Sequence, residues 1–263
     1  MTRLHAVLIG INDYADPGIP DLSYARQDAL AFAELLGQGL HESHVRVHLL
    51  VDRQATRAGV LDLAGVELPQ VVGPSDVVVF FFAGHGSPEV HPGLDTVSRF
   101  LICHDTRRRS LLSGAIDVNV DLRRIAARLE ARLVVFVLDA CFSGYIGGRG
   151  IAGPLFDERR RTGRPRLNLD SVSLGSGTIY LSACADDEVA EENGTLGHGV
   201  FSYHLLRQLR AADDARVIGL ASLYDKVFEL VRAYSNGRQN PVLRGDLKGA
   251  ALPRLATAED DHG

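Results

Sequence analysis

"VVFVLDACFSGYIGG", residues 134–148, runs five apolar side chains, Val134 to Leu138, into Asp139 and sets Cys141 just past the end of the run. An unbroken apolar run bounded by turn residues is the pattern of a strand buried on both faces of a parallel sheet; a strand with one wet face would alternate. Inside such a strand a free cysteine would be a small packing residue. Cys141 stands instead where the strand breaks into a glycine-rich turn.

Working outward, similar runs recur at residues 4–11 (LHAVLIGI), 45–51 (VRVHLLV), 76–84 (DVVVFFFAG), 99–105 (RFLICHD) and 177–183 (GTIYLSA). Between them the apolar spacing becomes helical, at residues 23–38, 56–68, 120–132, 199–212 and 219–235. Strands alternating with helices predict an α/β fold, a three-layer α/β/α sandwich with a mostly parallel central sheet. Functional groups in such a sheet collect at the carboxyl ends of the strands. That rule selects Asn12 and Asp13, His85, Asp139 with Cys141, and Cys184. One domain is expected over 1–255: a large portion spanning 1–143, a loop 144–177 rich in glycine and arginine, and a small portion spanning 178–255, with a flexible tail at 256–263.

The 263-residue chain carries a formal net charge of −5, which excludes nucleic-acid binding as a primary role because there is no overall basic excess to neutralise phosphates. The apolar core of the N-terminal segment is too short for a signal peptide or a spanning helix, so no membrane association and a cytoplasmic location are expected. Three scattered cysteines, Cys103, Cys141 and Cys184, form neither a disulfide framework nor a CxxC site. His85, His91, Cys103, His104 and Asp105 match no closed zinc spacing, so no metal is assigned.

A thiol attacks as its thiolate and needs a base or a cation beside it. His85 is the candidate base: Gly84 and Gly86 flank it directly after the third apolar run, and if the strands ending at Ala83 and Asp139 are neighbours, His85 and Cys141 meet across one sheet edge.

The histidine of "GHG" followed 56 positions later by the cysteine of "DACFSG" resembles the histidine and nucleophile of the caspase-like cysteine peptidases, in particular the bacterial caspase-like and metacaspase branch. "LIGINDY", "LSYARQDALAFAELL", "FFFAGHGS", "VFVLDACFSG", "YLSACADDEVAEE", "GHGVFSYHLLRQL" and "GRQNPVL" carry the resemblance, in that order, over nearly the whole chain. It implies the caspase-haemoglobinase fold, Cys141 as nucleophile, His85 as general base and then acid, and the backbone N–H groups of Gly86 and Cys141 as the oxyanion hole. No third catalytic side chain is named; a backbone carbonyl can orient the histidine in this family.

The resemblance also bears on which bond is cut. Metacaspases cut after arginine or lysine, and Asp139 and Asp28 match their P1-pocket acids; Ala83 and Ala25 depart from the usual serine and cysteine. The arginines of "DERRRTGRPR" (157–166) are candidates for self-processing, with an uncut solvated loop as the alternative. Calcium activation would draw on Asp105, Asp117, Asp121, Asp186 and Asp187, which make no EF-hand pattern, and no cofactor is required. Cys184 is expected to be a packing or pocket residue rather than a second nucleophile. By analogy the partners would be a protein or peptide substrate and an upstream activator or small signalling nucleotide, with homodimerisation through the last strand, in signal-triggered cell death or antiphage defence. The alternative from another class is a catalytically silent caspase-fold binding or scaffold module.

Overall fold

The apolar runs at 4–11, 76–84, 132–140 and 177–183 become strands with neither face in water, whereas the run at 45–51, expected to be buried on both faces, forms an edge strand that is partly exposed, Val47 among its exposed residues. The computed structural model describes residues 2–39, 44–90, 97–143, 148–154, 177–211, 217–247 and 249–253. Strand β1 (Leu4–Gly10) is buried along its whole length and leads to helix α1 (Ala25–Gly39). Gly10 permits their close approach, since a Cβ there would lie 2.5 Å from the Ala25 carbonyl oxygen and 2.7 Å from Ala29 Cβ. β2 (Val45–Val51) follows. α2 (Arg57–Asp62) starts at Thr56, whose hydroxyl accepts the Gly59 N–H at 3.1 Å. The single helix expected over 56–68 widens at once into a π turn over Leu63–Glu67 and tightens into a 3-10 turn at Leu68–Gln70.

β3 (Val77–Ala83) is fully buried. Next come β4 (Gly86–Val90), β5 (Val97–Leu101), α3 (Leu111–Gly114) and β6 (Ile116–Asp117). The run at 99–105, read as a strand of the central sheet, departs from that expectation. It supplies β5, which pairs antiparallel with β4 and β6 in a separate three-stranded sheet. Its side chains are apolar because this small sheet packs over the main one, and burial alone does not say which sheet a strand joins. α4 (Asp121–Arg128) is shorter than the 120–132 expected. β7 (Leu133–Asp139) and β8 (Thr178–Ser182) follow, then the short pair β9 (Glu192–Asn193) and β10 (His198–Gly199). α5 (Val200–Ala211), β11 (Val217–Gly219), α6 (Leu220–Tyr234), β12 (Val242–Gly245) and β13 (Ala251–Pro253) complete the order, β11 pairing with β13.

The central sheet has the order β12-β8-β7-β3-β1-β2. Every pairing is parallel except that of β12 with β8. Within each run alternate residues serve opposite faces. Leu8, Phe81 and Val137 pack with α1, α5 and α6; Ile9, Phe80, Phe82 and Phe136 pack with α2 and α4. This is the three-layer sandwich expected. Ala83 pairs with Asp139, so β3 and β7 end level with one another, and the chain leaves each strand two residues before His85 and Cys141. Among the described residues no helix is long and apolar enough to cross a membrane.

Candidate active site

His85 is held by the strand end and by the turn after β1. Its N–H donates to the Tyr14 hydroxyl at 2.9 Å, and the two rings lie 5.1 Å apart. Nε2 sits 2.7 Å from the Pro20 carbonyl oxygen. A carbonyl only accepts, so the proton is on Nε2 and Nδ1 carries a bare lone pair. Nδ1 is buried and makes no hydrogen bond among the described residues. Burial draws the imidazole pKa down to about 4, which keeps the ring neutral near pH 7.

Cys141 is fully buried. Its Sγ lies 2.9 Å from the Ser143 hydroxyl and donates to the Glu188 carbonyl oxygen at 2.8 Å. Hydrogen bonds from Cys184 first, and from Ser143, pull the thiol pKa down to about 6 against the effect of burial. The neighbouring Cys141 thiol and burial push the Cys184 thiol well up. Glu188 O acts in the opposite sense on Cys141, because a thiol can donate to it and a thiolate cannot. No hydrogen bond joins Cys141 Sγ to His85 among the described residues; the two groups share the edge while the thiol rests on Glu188.

The backbone donors named from the sequence are both in use. Gly86 N–H and Cys141 N–H converge on one acceptor, the carbonyl oxygen of Arg149, at 3.0 and 2.9 Å. A Cβ at Gly86 would lie 2.5 Å from the Cys141 carbonyl oxygen, so only glycine lets these strand ends close on one atom. The chain around Arg149 is bound on both sides: Arg149 N–H donates to Ala190 O at 3.1 Å, Ile151 N–H donates to Gly86 O at 3.0 Å, and Gly150 bridges Gly86 in parallel.

The Arg149 side chain enters a pocket of acids and is fully buried there. Nη1 lies 2.7 Å from Asp139 Oδ2, and Nη2 bonds Asp28 and approaches Glu192 Oε1 at 3.3 Å. The acids are themselves positioned. Asp28 accepts the Gly199 N–H and pairs with His198 Nδ1 at 2.7 Å; Asp139 accepts the Ser202 hydroxyl at 2.5 Å; Glu192 accepts the N–H groups of Ser23 and Tyr24 at 2.9 and 3.0 Å. Gly199 forms the pocket wall, where a Cβ would stand 2.7 Å from Arg149 Nη2. Burial and the carboxylate of Asp28 push Asp139 up to about 6, against the pull of Arg149, and the three acids drive the guanidinium pKa above its usual value.

Cys141, His85, Gly86, Asp28 and Asp139 therefore all converge at one edge. Glu192, Ser202, His198, Tyr14 and Pro20 were not named from the sequence, and neither was Arg149. Glu192 lay inside the quoted stretch "YLSACADDEVAEE", and Arg149 stood between glycines apart from the basic cluster. Residues 159–166, where self-processing was expected, lie outside the described residues, as does the tail at 256–263. Of the acids considered for calcium, Asp121 is paired with Arg57 at 3.1 Å and Asp186 with Arg99 at 2.7 Å. Among the described residues no group of three His, Cys, Asp or Glu is arranged to hold a metal ion.

Known proteins share this architecture. The family model described as "Caspase domain" matches residues 3–251. A protein of Geobacter sulfurreducens, known from its crystal structure, is similar in fold, with a TM-score of 0.69 over 98% of this chain and 100% of that chain at 18% identity. A search of the curated proteins found no match.

Proposed function

Because the chain belongs to the caspase-domain family, we propose that it is a cysteine endopeptidase cutting after arginine or lysine, with Cys141 as nucleophile and His85 as base. One observation carries the reading. A guanidinium occupies a pocket of three carboxylates while the carbonyl of the same residue accepts hydrogen bonds from Gly86 N–H and Cys141 N–H. A P1 residue needs both halves of that arrangement. The acid excess attracts a cation and would repel an aspartate side chain, and a planar fork suits paired carboxylates.

The chemistry follows from these groups. After rotation of the thiol off Glu188, His85 Nδ1 takes its proton, and Sγ bonds to the P1 carbonyl carbon. The oxyanion is held by the two N–H groups. Collapse breaks the C–N bond, and the amine leaves with the proton from His85. Water, deprotonated by His85, then attacks the thioester, releasing the acid and restoring the thiol. Pro20 O keeps the Nε2–H fixed and so presents Nδ1 as the base throughout. The reading extends to self-processing among the arginines at 159–166 and to signal-triggered cell death or defence, for which the fold alone offers analogy.

Cleavage of a peptide library tests it. Arginine or lysine should dominate at P1, Cys141→Ala should abolish turnover, and His85→Ala should lower it about 10²–10⁴-fold. Preference for aspartate would overturn the roles of Asp28, Asp139 and Glu192. Failure of a P1-arginine peptide electrophile to modify Cys141, even with Arg149 replaced, would favour the silent binding module.

A further inference from the structure

We propose that Gly148–Ile151 is a built-in pseudosubstrate: Arg149 fills the P1 pocket and oxyanion hole of its own enzyme, and must withdraw before an outside peptide binds. The inference rests on the basic-P1 reading of the pocket. Every contact a bound peptide would make around its P1 residue is already made by this segment. The side chain is buried among Asp28, Asp139 and Glu192, the carbonyl lies on Gly86 N–H and Cys141 N–H, the amide bonds Ala190 O, and the following residues run along Gly86. The Arg149 carbonyl also lies close enough to the His85 ring to raise its pKa, against the larger lowering by burial.

The entry turn is specialised for this pose. Gly148 has φ +54°, and a Cβ on it would come within 2.4 Å of Ala190 O, so the chain reaches Arg149 only through a glycine. The segment is tethered eight residues after Cys141, and a short tether gives an effective concentration on the order of millimolar, which an outside substrate must overcome.

Two features keep the Arg149–Gly150 bond uncut in this pose. Cys141 Sγ rests 2.8 Å from Glu188 O and makes no hydrogen bond to His85 among the described residues, so the base is not at the sulfur. On the leaving side, the hydrogen bond from Ile151 N–H to Gly86 O would hold the freed Gly150 amine beside the thioester, where it re-forms the peptide bond.

The test compares wild type with Arg149→Gln, using a fluorogenic peptide amide with arginine at P1 and its aspartate counterpart. Withdrawing the plug should lower KM for the arginine peptide at least about tenfold, as expected when the open form is a tenth or less of the resting population. N-acetyl-arginine amide should raise the Tm of Arg149→Gln and leave that of wild type unchanged, which reads pocket occupancy without catalysis. Because Arg149→Gln leaves acids unpaired and can impair folding, Gly148→Val is the second variant. It dislodges the segment by its Cβ and keeps the arginine, and N-acetyl-arginine amide added during refolding supplies the missing guanidinium. Equal KM and equal ligand response in wild type and both variants would overturn the plug while leaving the basic-P1 reading intact. Variants that cut the aspartate peptide instead would overturn both. A cut after Arg149 present in purified wild type but absent from Cys141→Ala would replace a standing plug by a processing site.

Discussion

At the scale of single residues, the site holds two groups whose proton equilibria oppose one another. Buried His85, at about 4 against an ordinary 6.5, binds fewer protons folded than unfolded between those values, so its contribution to stability is lost as pH falls through that window. Asp139, at about 6 against 3.8, binds more protons folded than unfolded, so its contribution is lost as pH rises through the overlapping window. Each amounts to on the order of 3 kcal/mol at most, and in wild type they largely cancel. Asp139 Oδ1 is buried without a hydrogen-bond partner among the described residues, whereas Oδ2 is taken up by Arg149 and Ser202. Relative to wild type, Asp139→Asn should steepen the loss of stability between pH 7 and 4, and His85→Ala should do the reverse. Urea midpoints across that range would read it, and changes of the same sign in both variants would contradict the assignment. A second prediction concerns Cys184, the largest influence lowering the Cys141 pKa. In the Arg149→Gln background, Cys184→Ala should move the midpoint of the alkylation rate of Cys141 upward from about 6; an unmoved midpoint would leave Cys184 a packing residue only. At this scale the convergence of Cys141, His85, Asp28 and Asp139 on one edge was legible because each follows or matches a motif at a strand end or on the first helix. Arg149 and Ser202 were not, because what identifies them is contact across 121 residues to Asp28 and 63 to Asp139.

At the scale of elements, buried parallel strands were the most legible feature, since an unbroken apolar run has few other uses in a soluble fold. Helix ends were less so: α2 was read as one helix, yet it passes through a π turn to bring the Gly65 carbonyl to Arg128 at 3.0 Å. The run at 99–105 misled for a physical reason, as a strand covered by a second small sheet has the same composition as one inside the main sheet. Packing between elements also reaches the pocket. α1 carries Asp28 in its first turn and lies on β1 through Gly10, where a Cβ would strike the Ala25 carbonyl and Ala29 Cβ. Gly10→Val should therefore lift the start of α1, destabilising the fold by about 1–3 kcal/mol as overpacking does, and weaken binding of N-acetyl-arginine amide in the Arg149→Gln background. A similar loss of stability with undiminished ligand binding would mean that α1 adjusts without moving Asp28.

At the scale of the whole molecule, the pocket is divided between the two sides of the 144–177 segment. Asp28, His85, Asp139 and Cys141 come from before it; Ala190, Glu192, Gly199 and Ser202 come from after it. The central sheet joins these halves, since β7 pairs with β8 from Val134↔Thr178 to Leu138↔Ser182. One apolar cluster holds Val135 and Val137 together with Ile179, Leu181, Phe201, Leu205, Val227 and Val231. Burial on that scale, at roughly 1.5–3 kcal/mol for each large apolar side chain, far exceeds what a covalent link across the segment contributes. A chain cut among residues 155–176, by an exogenous protease at a site introduced there, should elute as one particle of undiminished size and unfold in a single transition. Arg149 would remain in its pocket, because the contacts that hold it among the described residues come from outside the cut region, so the nicked protein should keep the wild-type KM for the arginine peptide until Arg149 is replaced. Separation of the pieces in native buffer would refute the shared core. A fall in KM on nicking alone would instead mean that the intact connection, rather than the acids and the N–H groups of Gly86 and Cys141, keeps Arg149 in place.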